Sequence, residues 1–204
     1  MKVKNLLVSG CVCATMAAFP AMAATSQARA CPVGKVTPAS YTWDFQKETD
    51  GILHDVQVDA EQAFTHADHL LGYVQNQNFR WELQDFSWNS NAIELTQLKD
   101  LINDMGQKMC RLETIRRVDT PWQQNTIDRI ATTLRLMADN STDAIVFGSH
   151  NEHELWLATY KKYVNNLFDE AGSLRRSVDH AVKYAKVQRQ EQILRKDLGI
   201  KASS

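Results

Sequence analysis

The sequence predicts an all-α protein, an antiparallel up-down four-helix bundle with an extended C-terminal helix and an irregular N-terminal segment. Apolar residues recur at steps of three and four in four separate stretches, the spacing that lines one face of a helix. Only 4 prolines and 8 glycines occur in 204 residues, which is too few for a turn-rich β fold. The stretches are joined by short connections, so consecutive helices are expected to run antiparallel.

The first two helices are predicted at residues 51–77 and 91–118. Their apolar residues alternate by three and four, a narrow seam typical of helices that pack nearly parallel to one another. Asn91 and Glu94 have the spacing of a capping box, which places the start of the second helix at Asn91. The two seams consist of Leu53, Val56, Ala60, Ala63, Ala67, Leu70 and Val74, and of Leu95, Leu98, Ile102, Met105, Met109 and Leu112.

The third helix is predicted at residues 121–147. Thr120 is a suitable cap residue, Pro121 occupies the first helical position and Gln123 the third, a combination that favours a helix start. Gly148 follows the last helical residue, where glycine commonly ends a helix. The apolar stripe consists of Ile127, Ala131, Leu134, Ala138 and Ile145, broadened by Ile130, Met137 and Ala144.

The fourth helix is predicted at residues 151–197, which makes it longer than the other three. Asn151 and Glu154 again have capping-box spacing. Residues 183–197 contain five basic and two acidic side chains with apolar residues between them, so this end is a candidate surface for a protein or envelope partner. The alternative is a solvated end that contacts residues 31–50. The stripe consists of Trp156, Tyr160, Tyr163, Leu167, Leu174, Val178, Ala181 and Ala185.

Residues 1–23 are predicted to be a cleavable signal peptide. Lys2 and Lys4 precede an uncharged apolar run that ends at the small residues around Ala23. A transmembrane anchor is the alternative, but the run is shorter than the about 20 residues that span a bilayer. Lipidation at Cys11 is a further alternative, and it would leave almost no apolar region before the modified cysteine.

Cleavage divides the chain into a signal peptide, an irregular segment at 24–50 and a bundle at 51–204. We therefore expect a periplasmic or secreted protein with no transmembrane anchor after processing. Removal of two lysines leaves 21 basic and 24 acidic residues, a net charge of about −3, which argues against nucleic acid as a partner. The oligomeric state is not fixed by the sequence.

Two cysteines remain after cleavage, Cys31 and Cys110. An even pair in an oxidising compartment is more often bridged than free, so these residues are the candidate disulfide. The alternative is two thiols that lie too far apart to react. Their spacing does not match a metal or redox motif.

Two pairs of histidines are the candidates for a metal site. His66 and His69 are three residues apart on the first helix, and His150 and His153 are three apart on the fourth, so each pair shares a helix face. A height difference of about 12–17 Å separates the two pairs in a bundle, which argues against one site built from both. Because closed sites need three or four ligands, we predict no metal and no cofactor.

The chain contains no sequence signature of an enzyme. Haem-attachment, Glu-x-x-His, Gly-x-Ser-x-Gly and phosphate-loop motifs are all missing from the sequence, so we predict no catalytic residues. The favoured hypothesis is an exported, non-enzymatic bundle with an interaction or structural role in the cell envelope. Its partner would bind the aromatic segment 79–88 or the helix at 183–197. The alternative is a bundle that binds a small ligand or a metal through His66 and His69 or through His150 and His153.

Overall fold

The structure, a computed structural model, describes residues 44–75 and 88–199, which belong to one compact unit. These residues form four α-helices, with a single 3-10 turn at Arg116–Val118 after the second. No strand occurs within the described ranges, and the predicted all-α bundle is confirmed. The helices are α1 (Phe45–Gln75), α2 (Trp88–Ile115), α3 (Pro121–His150) and α4 (Ala158–Asp197).

The helices form a closed ring in which each packs against two others. α1 contacts α2 and α4, and α3 contacts the same two helices. Polar contacts show that α1 and α2 are antiparallel, because Glu48 near the start of α1 pairs with Arg111 near the end of α2. Farther along α1, His66 contacts Glu94, which lies closer to the start of α2. This is the up-down arrangement expected from the short connections.

The seams predicted for α1 and α2 form the core. Every residue named above for these two seams is buried. Burying a Leu, Ile, Val or Met side chain contributes about 1.5–3 kcal/mol each, so these two helices supply a large part of the stability of the bundle. The three-and-four alternation therefore identified the correct helix faces.

Both α1 and α2 begin earlier than predicted. α1 starts at Phe45, so residues 45–50 are helical and do not belong to an irregular segment. Asp44 caps this helix, since its Oδ1 accepts a hydrogen bond of 3.0 Å from the backbone N–H of Lys47. α2 starts at Trp88, so the capping box predicted at Asn91 is wrong. Asn91 lies inside α2, where its Oδ1 accepts a hydrogen bond from the hydroxyl of the buried Tyr160.

The start of α3 agrees with the prediction, whereas its end does not. The side-chain oxygen of Gln123 accepts a hydrogen bond of 3.0 Å from the backbone N–H of Thr120, as a capping box requires. The helix continues through Gly148 to His150. Its core face includes two residues that carry no apolar signal, Ser141 and Gly148, so the face is rotated from the predicted one. The buried side is Ile127, Ile130, Leu134, Met137, Ser141, Ala144 and Gly148.

α4 begins at Ala158 and not at 151, because a turn occupies residues 151–157. Asn151 caps the end of α3, where its side-chain amide donates a hydrogen bond of 2.8 Å to the carbonyl of Phe147. Trp156, predicted to be on the core stripe, is exposed, and Val164 is buried in the stripe where Tyr163 was expected. α4 then runs unbroken to Asp197, which confirms the extended C-terminal helix.

Several predictions lie outside the described residues. These are the signal peptide at 1–23, the part of the irregular segment before residue 44, Cys31, and the aromatic segment before Trp88. Among the described helices, none has a stretch long and apolar enough to cross a lipid bilayer.

Candidate metal centre

His66, His69 and Glu94 meet between α1 and α2. On α1, Ala63, Ala67 and Leu70 face the core. The two histidines lie beside this seam, one helical turn apart, on the flank of α1 that faces α2. Because the two helices are antiparallel, Glu94 in the second turn of α2 lies level with both histidines.

Each carboxylate oxygen of Glu94 faces a different imidazole. Oε2 lies 2.6 Å from Nδ1 of His66, and Oε1 lies 3.3 Å from Nδ1 of His69. The two rings are 6.3 Å apart between centroids and nearly perpendicular, at 87°. The exposed fraction of the side chain rises from 12% at Glu94 through 24% at His66 to 53% at His69. The cluster is therefore anchored in the protein at the carboxylate and reaches solvent at His69.

These three residues offer one ligand atom each, and the three atoms lie within 4.8 Å of one another. Imidazole nitrogen and carboxylate oxygen bind Zn²⁺ at about 2.0–2.2 Å, so small side-chain movements bring all three onto one ion. Two histidines and one carboxylate also suit Fe²⁺. A tetrahedral ion takes four ligands, so the three residues leave one position for water or another molecule. Without an ion, each neutral imidazole can donate its Nδ1–H to the carboxylate.

The nearest acidic residue on the same flank of α1 already has a partner. Asp59 lies two turns before His66 and forms an ion pair with Lys108 of α2. Burial acts to lower the pKa of Lys108, but hydrogen bonds to Asp104 and Asp59 prevail and raise it above its usual value. Lys108 therefore stays charged and neutralises Asp59, which lies about 10 Å along the helix from His66.

The other pair of histidines is not part of this cluster. His150 is the last residue of α3, exposed, with Nδ1 2.7 Å from the carbonyl of Val146. His153 is exposed in the turn before α4. In the described part of the chain, the only group of three metal-binding side chains is His66, His69 and Glu94. The structure thus keeps the two histidine pairs apart, as their different heights indicated.

Sequence reasoning identified the two histidines but not Glu94. The third ligand was sought on the fourth helix, whereas it lies on the second. Glu94 was interpreted as part of a capping box because the second helix was expected to begin at Asn91. Because α2 in fact starts at Trp88, Glu94 lies inside the helix, and the antiparallel register of α1 and α2 places it opposite His66. A correct prediction of the start of α2 would therefore have made Glu94 a candidate third ligand.

A second polar cluster joins the start of α1 to the turn before α3. The hydroxyl of Thr49 donates a hydrogen bond of 2.7 Å to Oδ1 of Asp119, and both residues are buried. Oδ2 of Asp119 has no hydrogen-bond partner among the described residues. Burial raises the pKa of Asp119; the Thr49 hydrogen bond opposes this, and the nearby charges of Asp50 and Glu48 add to it. The cluster therefore holds a carboxyl group whose charged form is penalised.

Comparison of the chain with protein-family models, curated proteins and solved structures finds no match.

Proposed function

We propose that this protein binds a divalent transition metal ion, with Zn²⁺ the best fit, through His66, His69 and Glu94. The observation that carries the proposal is the convergence of three ligand atoms from two helices within 4.8 Å. Such convergence is what separates a metal site from a lone pair of histidines on one helix, which offers only two ligands.

The burial of Glu94 supports a bound cation at this position. A largely buried carboxylate is stable only when its charge is balanced or its oxygens are fully hydrogen-bonded. The imidazoles of His66 and His69 lie within hydrogen-bond distance of one carboxylate oxygen each, and a divalent cation would balance the carboxylate charge while binding all three side chains. The rise in exposure from Glu94 to His69 gives the ion a route from solvent.

The role that fits this site is binding or storage of the metal. A three-ligand site that reaches solvent can exchange its ion, because the fourth position and the His69 side are accessible. That the protein is not an enzyme remains a prediction from the sequence.

The cellular setting is also part of the proposal. We propose that residues 1–23 direct export, and that Cys31 and Cys110 are then bridged in an oxidising compartment. Cys110 is partly buried in the last turns of α2, at the end of the bundle where the chain enters α1 at Phe45. The 12 residues between Cys31 and Asp44 span up to about 40 Å when extended, which is long enough for Cys31 to reach Cys110.

Titration of the processed chain from Ala24 onward, purified without a histidine tag, tests the metal site. We expect calorimetry to show one Zn²⁺ per chain. Zinc at about 100 times its dissociation constant should stabilise the folded protein by about 2.7 kcal/mol, which thermal unfolding detects. A protein that takes up no zinc, iron, nickel or copper would contradict the proposal.

Single substitutions locate the site. We expect His66→Ala, His69→Ala and Glu94→Gln each to weaken zinc binding by at least the about 10–100-fold that loss of a hydrogen-bond partner of a ligand costs, because each removes one of only three ligands. The matched controls are His150→Ala and His153→Ala, which remove an exposed histidine pair of the same spacing and should leave the affinity unchanged. If the control substitutions weaken binding and the others do not, the proposed ligands are wrong.

A further inference from the structure

The candidate metal centre leaves part of the charge of a divalent ion unbalanced. Glu94 supplies one negative charge, whereas His66 and His69 bind a metal as neutral imidazoles. An ion held by these three side chains therefore keeps one uncompensated positive charge. The inference drawn from this charge rests on the proposed zinc site, and it concerns the coordination position that the three ligands leave open.

The neighbouring side chains on α1 and α2 do not compensate this charge. Residues three and four positions away from a ligand share its helix face, and apart from the ligands themselves all of these neighbours are uncharged. Asp68 is exposed and lies about 100° around α1 from His69. Asp59 is already paired with Lys108. The open position therefore favours a ligand that carries a negative charge.

The accessible side of the site limits the size of such a ligand. Glu94 is largely buried, whereas the side chain of His69 is 53% exposed, so a molecule reaches the ion from the His69 side. A tetrahedral ion with three protein ligands has one position left, which one donor atom fills. A small anion that binds through a single atom, such as a carboxylate, meets both the charge and the coordination number.

Tyr73 continues the row of α1 side chains that contact α2. The earlier members of the row are Glu48, Asp59 and His66, which lie within about 20° of one direction around the helix and each pair with a residue of α2. Tyr73 follows His66 by about two turns, and its direction lies between those of His66 and His69. Because side chains of a helix lean towards its N-terminus, the phenol ring of Tyr73 extends towards the level of the two histidines.

The hydroxyl of Tyr73 is a donor that the bundle itself does not use. Tyr73 is partly buried, and within the ranges that the structure describes no residue forms a hydrogen bond with its hydroxyl. A phenolic O–H can donate to an anion, and hydrogen bonds to a charged acceptor are stronger than those between neutral groups.

We propose that the metal ion in this site takes a small monodentate anion as its fourth ligand, and that the hydroxyl of Tyr73 donates a hydrogen bond to this anion. The ion supplies the charge that attracts the anion, and Tyr73 positions it. The protein then carries its metal as a complex with an anion of the carboxylate class, and no bond within the anion is broken.

Cobalt substitution tests the fourth ligand, because the visible absorption of Co²⁺ changes with its ligands and its geometry. The processed chain from Ala24 onward is loaded with Co²⁺ and titrated with sodium azide, and sodium perchlorate, a poor ligand, is the control. We expect azide to change the spectrum to a single saturation and perchlorate to leave it unchanged. A spectrum that azide does not change, or that both salts change equally, overturns the inference and leaves the metal site intact. A protein that takes up no cobalt contradicts the proposed metal site itself.

A single substitution tests the role of Tyr73. We expect Tyr73→Phe to weaken azide binding by about 3–10-fold, the worth of one net hydrogen bond, and to leave the cobalt affinity unchanged. The matched control is Tyr163→Phe, which removes the hydroxyl of a partly buried tyrosine whose ring contacts Phe147 of α3. Unchanged azide binding in Tyr73→Phe, or equal weakening in the control, contradicts the proposed hydrogen bond. Loss of cobalt affinity in Tyr73→Phe would make the phenol a metal ligand and would also overturn it.

Discussion

At the scale of single residues, Gly148 shows how a position without a side chain can determine packing. It lies in the last turn of α3, and the indole of Trp88 from α2 covers it. A methyl group at Gly148 would lie 2.0 Å from the nearest ring carbon of Trp88. The prediction that this glycine ends α3 was therefore wrong. The absence of a side chain at Gly148 instead leaves room for the indole of Trp88, the first residue of α2.

We expect Gly148→Ala to lower the free energy of unfolding by about 1–2 kcal/mol. Overpacking against Trp88 costs about 1–3 kcal/mol, and the better helix propensity of alanine recovers up to about 1 kcal/mol. Urea unfolding followed by circular dichroism measures the change.

The control for this substitution is Gly106→Ala in α2, where no atom lies within 4 Å of the added methyl group. It should be neutral or stabilising by up to about 1 kcal/mol. In a Trp88→Leu background, the cost of Gly148→Ala should disappear. A cost that persists in that background would show that Trp88 is not its cause.

Ser141 and Gly148 also explain a limit of the sequence analysis. Both lie on the side of α3 that faces the core of the bundle, and neither carries an apolar side chain. A stripe defined by apolar residues was therefore drawn through Ala131, Ala138 and Ile145, which are only partly buried. Hydrophobic periodicity detects a core face only where that face is occupied by apolar side chains.

At the scale of helices and turns, Asp119 connects the turn before α3 to α1. Its Oδ1 accepts the Thr49 hydrogen bond, and its other oxygen is buried with no partner in the described part of the chain. Because burial raises the pKa of Asp119 in the folded state, folding favours the protonated form. The stability that this carboxyl group contributes is present below its unfolded pKa of about 4 and is lost as pH rises through the folded pKa.

We therefore expect Asp119→Asn to stabilise the protein at neutral pH by on the order of 1 kcal/mol, because the neutral amide removes the negative charge that burial penalises while its carbonyl oxygen still accepts the hydrogen bond from Thr49. The gain should shrink as pH falls towards 4, because the wild-type carboxyl group is then protonated as well. Urea unfolding at a series of pH values measures the difference in the free energy of unfolding between Asp119→Asn and the wild type.

Asp100→Asn is the matched control, because Asp100 is exposed on α2 and should change stability little at any pH. Loss of stability in Asp119→Asn at neutral pH, with the pH dependence of the wild type retained, would contradict a raised pKa at Asp119.

Helix boundaries were predictable where a cap was visible in the sequence. Thr120, Pro121 and Gln123 marked the start of α3 correctly. The start of α1 was missed because residues 46–51, which follow the cap Asp44 and Phe45, contain no apolar side chain that could extend the periodicity. Asn151 was predicted to cap the start of the fourth helix, whereas it caps the end of α3. The prediction failed because an asparagine side chain can also donate a hydrogen bond to the last carbonyls of the preceding helix.

At the scale of the whole molecule, the proposed Cys31–Cys110 disulfide would tie the N-terminal segment to α2. It closes a loop of 79 residues, for which the chain-entropy model gives about 4.5 kcal/mol of stabilisation. We expect reduction of the processed protein to lower its free energy of unfolding by up to that amount.

Peptide mapping without reductant should identify the linked Cys31 and Cys110 peptides directly. Cys31→Ser with Cys110→Ser should reproduce the reduced stability and abolish the effect of reductant. A reductant-sensitive wild type with no such linked peptide would contradict the assignment.

The fold was predictable from the sequence, whereas the candidate metal site was only half predictable. Periodicity is local, and it defined the seams of α1 and α2 well. The pairing of His66 with Glu94 depends on the register between two helices joined by a 12-residue connection, and that register follows from packing. Side-chain type alone does not reveal that a glutamate on one helix lies level with a histidine on another.

The length of α4 places its exposed C-terminal end far from the candidate metal centre. The contacts of Gln57 with Asp179 and of Asp50 with Arg189 place His66 level with about residue 170 of α4. The exposed end, residues 189–199, is then about 25–40 Å farther along the axis. Allosteric coupling would require a second packing state of the intervening helix, which is continuous and buried in the core up to Ala185. We therefore expect a tag or label attached to the end of α4 to leave the zinc affinity of the protein unchanged.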